Sequence, residues 1–231
     1  MLQASRRRRL ADAVQGVWLS AGGGGFILEL WPFQKEVIND LTAAEDGGAR
    51  RIILAAPTGS GKTMIASAII RHATSNNHSV LFLAHRRELV GQCSKHLEEA
   101  GIEHGIIMAG EPQDASHLVN VSSLQTLHAR AIKSKKIALP KADLVVFDEA
   151  HHLFSSGTWQ SLMDKYPDAM VLGLTATPIN RTGAGMKHCA DAMVKCQSIQ
   201  KLTDDGYLVP ARYFAPTIPD LAGLKVKLGD Y

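Results

Sequence analysis

Between residues 26 and 178, short unbroken apolar runs alternate with longer stretches whose apolar positions recur at helical spacing. The short runs are "RRIILAA" (50–56), "SVLFLA" (79–84), "HGIIMAG" (104–110), "ADLVVFDEA" (142–150) and "AMVLGLTATP" (169–178). Their length and β-branched content predict strands buried on both faces. Between them, "PFQKEVINDLTAAED" opens on Pro32 and carries Phe33, Val37, Ile38 and Leu41 at a 3.6-residue period, which predicts a helix. "KTMIASAIIRHATSN" (62–76) and "RRELVGQCSKHLEEAG" (86–101, closed by Gly101) predict two more helices. "SSLQTLHARAIKS" (122–134) begins on cap-type serines and predicts a fourth.

Strands without apolar–polar alternation, separated by helices, predict an α/β fold. It would be a parallel β-sheet with helices on both faces. The chain has 231 residues, enough for one sizeable core or two small ones. We expect three regions: a basic, glycine-rich tail at 1–25, a folded domain at 26–216, and a linker or the start of another domain at 217–231.

Composition is that of a soluble protein, with 45% hydrophobic and 20% charged residues. A formal charge of +3 says little about a polyanionic partner, so local clusters must carry that argument. Cys93, Cys189 and Cys196 lack metal or disulfide spacing and read as free thiols in a reducing compartment, hence a cytoplasmic protein. No apolar run reaches the length of a membrane span. "RRRR" (6–9) is followed by Asp12, Gln15 and Gly16, so it does not introduce a secretion signal. It reads as a solvated tail, with an upstream extension as a further reading.

Candidate chemistry begins at "APTGSGKT" (56–63), on a strand-to-helix junction. Gly59 and Gly61 would let backbone N–H groups turn toward phosphate oxygens, with Thr58 and Ser60 between and beside them. Lys62 would reach the β- and γ-phosphates, and the Thr63 hydroxyl would ligate Mg²⁺. Ala56 stands where the strict pattern has glycine, and the bland reading is a Gly/Ser turn into an ordinary helix. A second signal is "LVVFDEAHH": Asp148 and Glu149 end an apolar strand. In a parallel sheet that end faces the ligand. Asp148 suits Mg²⁺, and Glu149 suits orientation and deprotonation of an attacking water. The bland reading there is two acids capping a helix.

At "DEAH" (148–151) the sequence resembles motif II of the superfamily 2 DEAD/DEAH-box helicases. "APTGSGKT" is similar to their motif I, "AHRREL" (84–89) to motif Ia, "SSLQTL" (122–127) to the motif Ib region and "LTATP" (174–178) to motif III. "LWPFQ" (30–34) resembles a Q motif, and "GYLVPARYFAP" (206–216) an exit from the first domain. The subgroup most resembled contains RadD-like repair helicases and type I restriction translocases. The resemblance implies a RecA-like P-loop domain that binds ATP and Mg²⁺ and moves along nucleic acid. DNA is favoured by the subgroup, with RNA not excluded. It implies that Gln34 reads the adenine edge, and that His151, Thr175 and Thr177 link nucleotide state to grip. It also implies that Arg86, Arg87, Ser123, Gln125 and Thr126 contact the strand's backbone, as hydrogen-bonding groups without base readout. Arg87 with Glu88 as a local ion network, and Gln125 on a solvated helix face, are the plain alternatives.

This chain also departs from the pattern. Trp31 stands where the Q motif often has arginine, so it either stacks on the base or belongs to the core. Asn180-Arg181-Thr182-Gly183 lacks the R-x-D-G pattern that often follows motif III. His152, Cys189 and Cys196 match no motif and read as structural. No counterpart of motifs V and VI is found, so a second RecA-like domain or a partner chain is expected. Slow hydrolysis is expected from these residues alone. Two other readings stay open: a nucleotide-gated nucleic-acid-binding module without motor activity, and a P-loop ATPase acting on protein. Motifs Ia and Ib weigh against the last.

Overall fold

The computed structural model describes residues 29–110, 116–152, 157–179, 186 and 189–210. The expected tail at 1–25, the segment at 217–231 and the loop at 180–183 lie outside them. Seven parallel strands form one sheet: β1 Arg51–Ala55, β2 Val80–Ala84, β3 Gly105–Ile107, β4 Val119–Ser123, β5 Leu144–Phe147, β6 Met170–Thr175 and β7 Ala192–Lys195. Their order is β3-β4-β2-β5-β6-β1-β7. The helices are α1 Pro32–Asp46, α2 Lys62–Ser75, α3 Arg87–Glu99, α4 Leu124–Leu127, α5 Gly157–Met163 and α6 Ile199–Asp204.

The apolar runs lack alternation because both faces of the sheet are buried, each in its own core. Side chains alternate across a strand. Ile52, Leu54, Val80, Phe82, Val146 and Leu172 therefore pack with α1, α2 and α3 on one face. Ile53, Leu81, Leu83, Val145 and Phe147 pack with α4 and α5 on the other. Phe147 meets Trp159 edge to face, centroids 4.1 Å apart, a favoured aromatic geometry.

The structure adds elements that the pattern did not predict. β4 joins the sheet between β2 and β3, although Asn120 and Ser122 interrupt its apolar run. Both polar side chains find acceptors inside: Asn120 Nδ2 donates to His117 O (2.7 Å) and Ser122 Oγ to Ile107 O (2.8 Å), while Asn120 Oδ1 is buried without a hydrogen-bond partner. Ser122 thus belongs to the strand. Ser123 caps α4, its Oγ accepting from Thr126 N at 3.2 Å. The stretch predicted as one helix from 122 is α-helical only over α4 and continues as a π-turn at His128–Lys133. β7 is held beside β1 by Asp191, whose Oδ2 accepts from Arg50 N and Arg51 N at 2.9 and 2.8 Å. Cys93 and Cys189 are buried and Cys196 half-buried, all free. No described helix is long and apolar enough to cross a membrane.

Candidate nucleotide site

In a parallel sheet every strand delivers its carboxyl end to the same edge. The loops after β1, β2, β4, β5 and β6 carry the segments resembling motifs I, Ia, Ib, II and III, so that edge gathers them. β6 lies between β1 and β5. The phosphate-loop candidate and the acidic pair therefore flank Thr175.

The loop from Ala56 to Gly61 turns sharply. Gly59 and Gly61 have φ of 85° and 78°, a region that L-residues with a Cβ avoid. Ser60 closes the turn: its N–H and its hydroxyl both donate to Pro57 O, at 3.2 and 2.7 Å. Fully buried, its hydroxyl shapes the loop. Thr58 is exposed at the loop's tip. Lys62 and Thr63 start α2, where the first-turn N–H groups have no intrahelical acceptor. They are aimed as an anion site requires. The Lys62 ammonium rests on Ala56 O (3.2 Å) and Pro57 O (3.4 Å).

Gln34 lies beneath this loop. Its Oε1 accepts from Trp31 N at 2.9 Å and its Nε2 donates to Ser60 O at 3.0 Å. Both amide ends face main chain.

Asp148 and Glu149 follow β5. Asp148 N donates to Leu83 O (3.0 Å), and Asp148 Oδ1 accepts from Glu149 N (3.0 Å). Burial pushes the Asp148 carboxyl above its ordinary range, and the Glu149 charge adds to this. The Glu149 N–H, Lys62 and His151 pull it back only in part. The same buried charge helps raise the Cys93 thiol, after burial itself. A carboxylate short of positive charge, beside Lys62 and the hydroxyl that opens α2, is an oxygen donor set that fits Mg²⁺.

An acid whose folded pKa is raised contributes stability only at low pH and loses it as pH rises through that value. At neutral pH the Asp148 charge therefore opposes folding. Asp148→Asn, which keeps the oxygen that accepts from Glu149 N, is expected to raise the metal-free melting temperature at pH 7 and to abolish Mg²⁺-dependent binding. Scanning calorimetry with and without Mg-nucleotide checks both.

Glu149 holds φ at 52° without being glycine, and such strain gathers at functional sites. Its Oε2 lies 3.2 Å from His151 Nδ1, and that nitrogen is 2.9 Å from Thr175 Oγ1. Thr175 Oγ1 also donates to Thr177 O (3.0 Å) and accepts from Thr177 N (3.1 Å). Through its main chain the same residue receives Ala56 N at 2.9 Å. Thr175 thus ties the start of the phosphate loop to the acidic pair, a link the motifs did not announce.

The nucleic-acid candidates lie farther along the edge. Arg86 and Arg87 are exposed at the start of α3. Ser123 and Thr126 are occupied with each other, Ser123 Oγ donating to Thr126 Oγ1 at 2.8 Å. Gln125 is exposed, its Nε2 3.4 Å from His85 Nδ1. His152, read as structural, stacks on His85 (5.0 Å) and meets His151 (4.0 Å). The doubled histidine was the only sequence signal for this bridge. Among the described residues no group of three or more His, Cys, Asp or Glu is placed to hold a metal ion.

The family profile described as type III restriction enzyme, res subunit, matches residues 27–180. The chain is similar to irc3 of Schizosaccharomyces pombe, named as a mitochondrial ATP-dependent helicase: 30% identical, over 80% of this chain and 32% of that one. It is also similar to the EcoAI type I restriction endonuclease subunit of Escherichia coli, 27% identical over 85% of this chain and 25% of that one. The UvsW helicase of bacteriophage T4 shares the fold, with a TM-score of 0.57, 20% identity, and coverage of 77% of this chain and 65% of that one. The chain spans about a quarter to a third of the length of these two relatives.

Proposed function

The chain belongs to the family described as type III restriction enzyme, res subunit, and from that premise we propose that residues 26–216 are the RecA-like motor domain of an ATP-dependent DNA helicase or translocase. The observation that carries the reading is the Thr175 tie. One residue holds the first N–H of the phosphate loop and, through His151, the Glu149 carboxylate. A change in what the loop holds is therefore felt at the catalytic acid.

In this mechanism the Gly59 and Gly61 turns and the first N–H groups of α2 cradle the phosphates, and Lys62 neutralises the terminal ones. Thr63 and Asp148 would hold Mg²⁺, which would supply positive charge against the phosphates. Glu149 orients the attacking water and takes its proton. His151, Thr175 and Thr177 report the change to the loops after β2 and β4. There Arg86, Arg87 and Gln125 grip the phosphate–sugar backbone of a strand. The Ser123–Thr126 pair holds that loop in shape. DNA is the favoured strand and the cytoplasm the favoured compartment.

The relatives are about two and a half to three and a half times as long as this chain, and in phosphoryl-transfer enzymes an arginine brought from elsewhere is worth about 10³–10⁵ in turnover. We therefore assign a second RecA-like domain, in the same or a partner chain, to complete the site. The 231 residues alone are expected to bind Mg-ATP and hydrolyse it slowly.

Steady-state ATP turnover with and without single-stranded DNA tests this, alongside binding to both ligands across a salt series. Expected results are Mg-ATP binding, slow turnover, and DNA affinity that falls linearly with log salt. Failure to bind Mg-ATP overturns the motor assignment. DNA binding absent at low salt turns the reading to an ATPase acting on protein.

A further inference from the structure

Between Asp114 and Asp143 the chain carries no acid, and its bases crowd into one short segment: Arg130, Lys133, Lys135, Lys136 and Lys141. The motor reading uses none of them. The fold sorts this segment by side. Ile132, Ile137, Leu139 and Ala142 pack against the core that α4 and α5 cover. Lys133, Lys135, Lys136 and Lys141, set between them, are all exposed. Hydrogen bonds to main-chain carbonyls fix the frame. Ser134 N donates to Ala129 O (3.0 Å) and Lys136 N to Arg130 O (2.7 Å). From α5's side, the Tyr166 hydroxyl donates to Pro140 O (2.8 Å). The four ammonium groups are thus presented by an anchored segment.

Among the described residues no ion pair engages these four lysines. Asp143, the acid that ends the segment, is turned to Ser79, accepting from its N at 3.0 Å and its hydroxyl at 2.8 Å. Lys135 holds φ at 49°, a conformation that strains a residue with a Cβ and that a plain turn would give to glycine. Like charges gathered without acids repel one another, and a polyanion relieves that repulsion. The segment is also continuous with the loop after β4. α4 and the π-turn run unbroken from Leu124 to Lys133. From Gln125 to Lys133 the helical rise is about 12 Å, which is the reach of roughly three to four phosphates along one strand in duplex geometry.

Resting on the nucleic-acid reading above, we infer that Lys133, Lys135, Lys136 and Lys141 form a second contact surface, which holds the phosphate backbone of the nucleic acid beyond the loop after β4. Ammonium groups meet phosphates as point charges, so this surface reads no base sequence. It lengthens the footprint past the edge that carries the motifs. Its ligand is any strand long enough to reach it.

The test is fluorescence anisotropy with single-stranded DNA of about 6 and about 16 nucleotides, across a salt series. One variant combines Lys133→Gln, Lys135→Gln, Lys136→Gln and Lys141→Gln; a second changes the same four to Arg. At low salt the Gln variant is expected to bind the longer strand about thirtyfold more weakly than wild type, and its slope of log affinity against log salt to be shallower by about 2–3. Its binding of the shorter strand should stay within about threefold, since few phosphates reach the surface. The Arg variant should match wild type on both strands. Lys135→Gly should melt no lower than wild type, because glycine takes that φ freely, yet bind the longer strand about threefold more weakly. Equal loss on both strands, or no loss on either, overturns the proposal. Wild-type binding of both strands with an indifferent Gln variant removes this surface alone, whereas a wild type that binds neither removes the nucleic-acid reading itself. Wild-type preference for polyglutamate over the longer strand, lost in the Gln variant, reassigns the surface to an acidic protein and also overturns the proposal.

Discussion

Glu149→Gln is expected to lower the rate of the hydrolytic step by about 10²–10⁴ while leaving Mg-ADP affinity within a few-fold of wild type. The substitution keeps size and one acceptor oxygen, so the 3.2 Å approach to His151 survives as a neutral contact. What is lost is the basicity that takes a proton from water. The backbone argues that this position is held for function. Glu149 sits at φ 52°, which costs a residue with a Cβ of order 1–3 kcal/mol. Glu149→Gly is therefore expected to match the catalytic loss without losing stability, because glycine adopts that φ without strain. Single-turnover hydrolysis and thermal melts of the two variants side by side check this. Hydrolysis by Glu149→Gln within threefold of wild type would remove Glu149 from the chemistry. Equal activity loss with a large fall in melting temperature for Glu149→Gly would remove the strain argument.

The sheet was legible because strands such as VLFLA serve two cores at once and have no polar face to interrupt them. β4 escaped because its polar residues look like a break in a strand, and only the fold shows that Ile107 O and His117 O are there to receive them. β7 and α6 are short and half-exposed at the sheet's edge, with too few positions to reveal a period. At the site, glycines at positive φ and acids ending an apolar strand are local signals, so the loop and the acidic pair could be read directly. The Gln34–Ser60 brace, the Ala56–Thr175 bond and the stack of His85 on His152 span 26, 119 and 67 positions of chain. Each depends on strand order, and two of them use main-chain atoms that every residue type offers equally. Trp31 shows the opposite case. It was visible as a departure, but whether it faced core or solvent waited on the packing of Tyr207.

Gly61→Ala is the second large effect and isolates the brace. Alanine at φ 78° costs about 1–2 kcal/mol in left-handed strain. Its Cβ would also overlap Gln34 Nε2 at 2.4 Å. Gln34 cannot move aside cheaply, because its other end is fixed on Trp31 N. Displacing it strands a buried amide, which costs about 1–3 kcal/mol more. The sum of about 2–5 kcal/mol corresponds to a fall of roughly 10 °C in melting temperature at this chain length. Nucleotide affinity should fall by about two orders of magnitude, since two charge-assisted N–H contacts to phosphate are misdirected. Two other glycines separate the causes. Gly48 has φ 95° with nothing within 4 Å, so Gly48→Ala should carry only the strain and leave nucleotide binding intact. Gly59→Ala meets the end of the Leu208 side chain at 3.0 Å, which can rotate away, so its stability loss should fall between the two. Thermal melts and ADP titrations of the three alanine variants give the ranking. If Gly61→Ala is no worse than Gly48→Ala in both, the loop is not braced by Gln34.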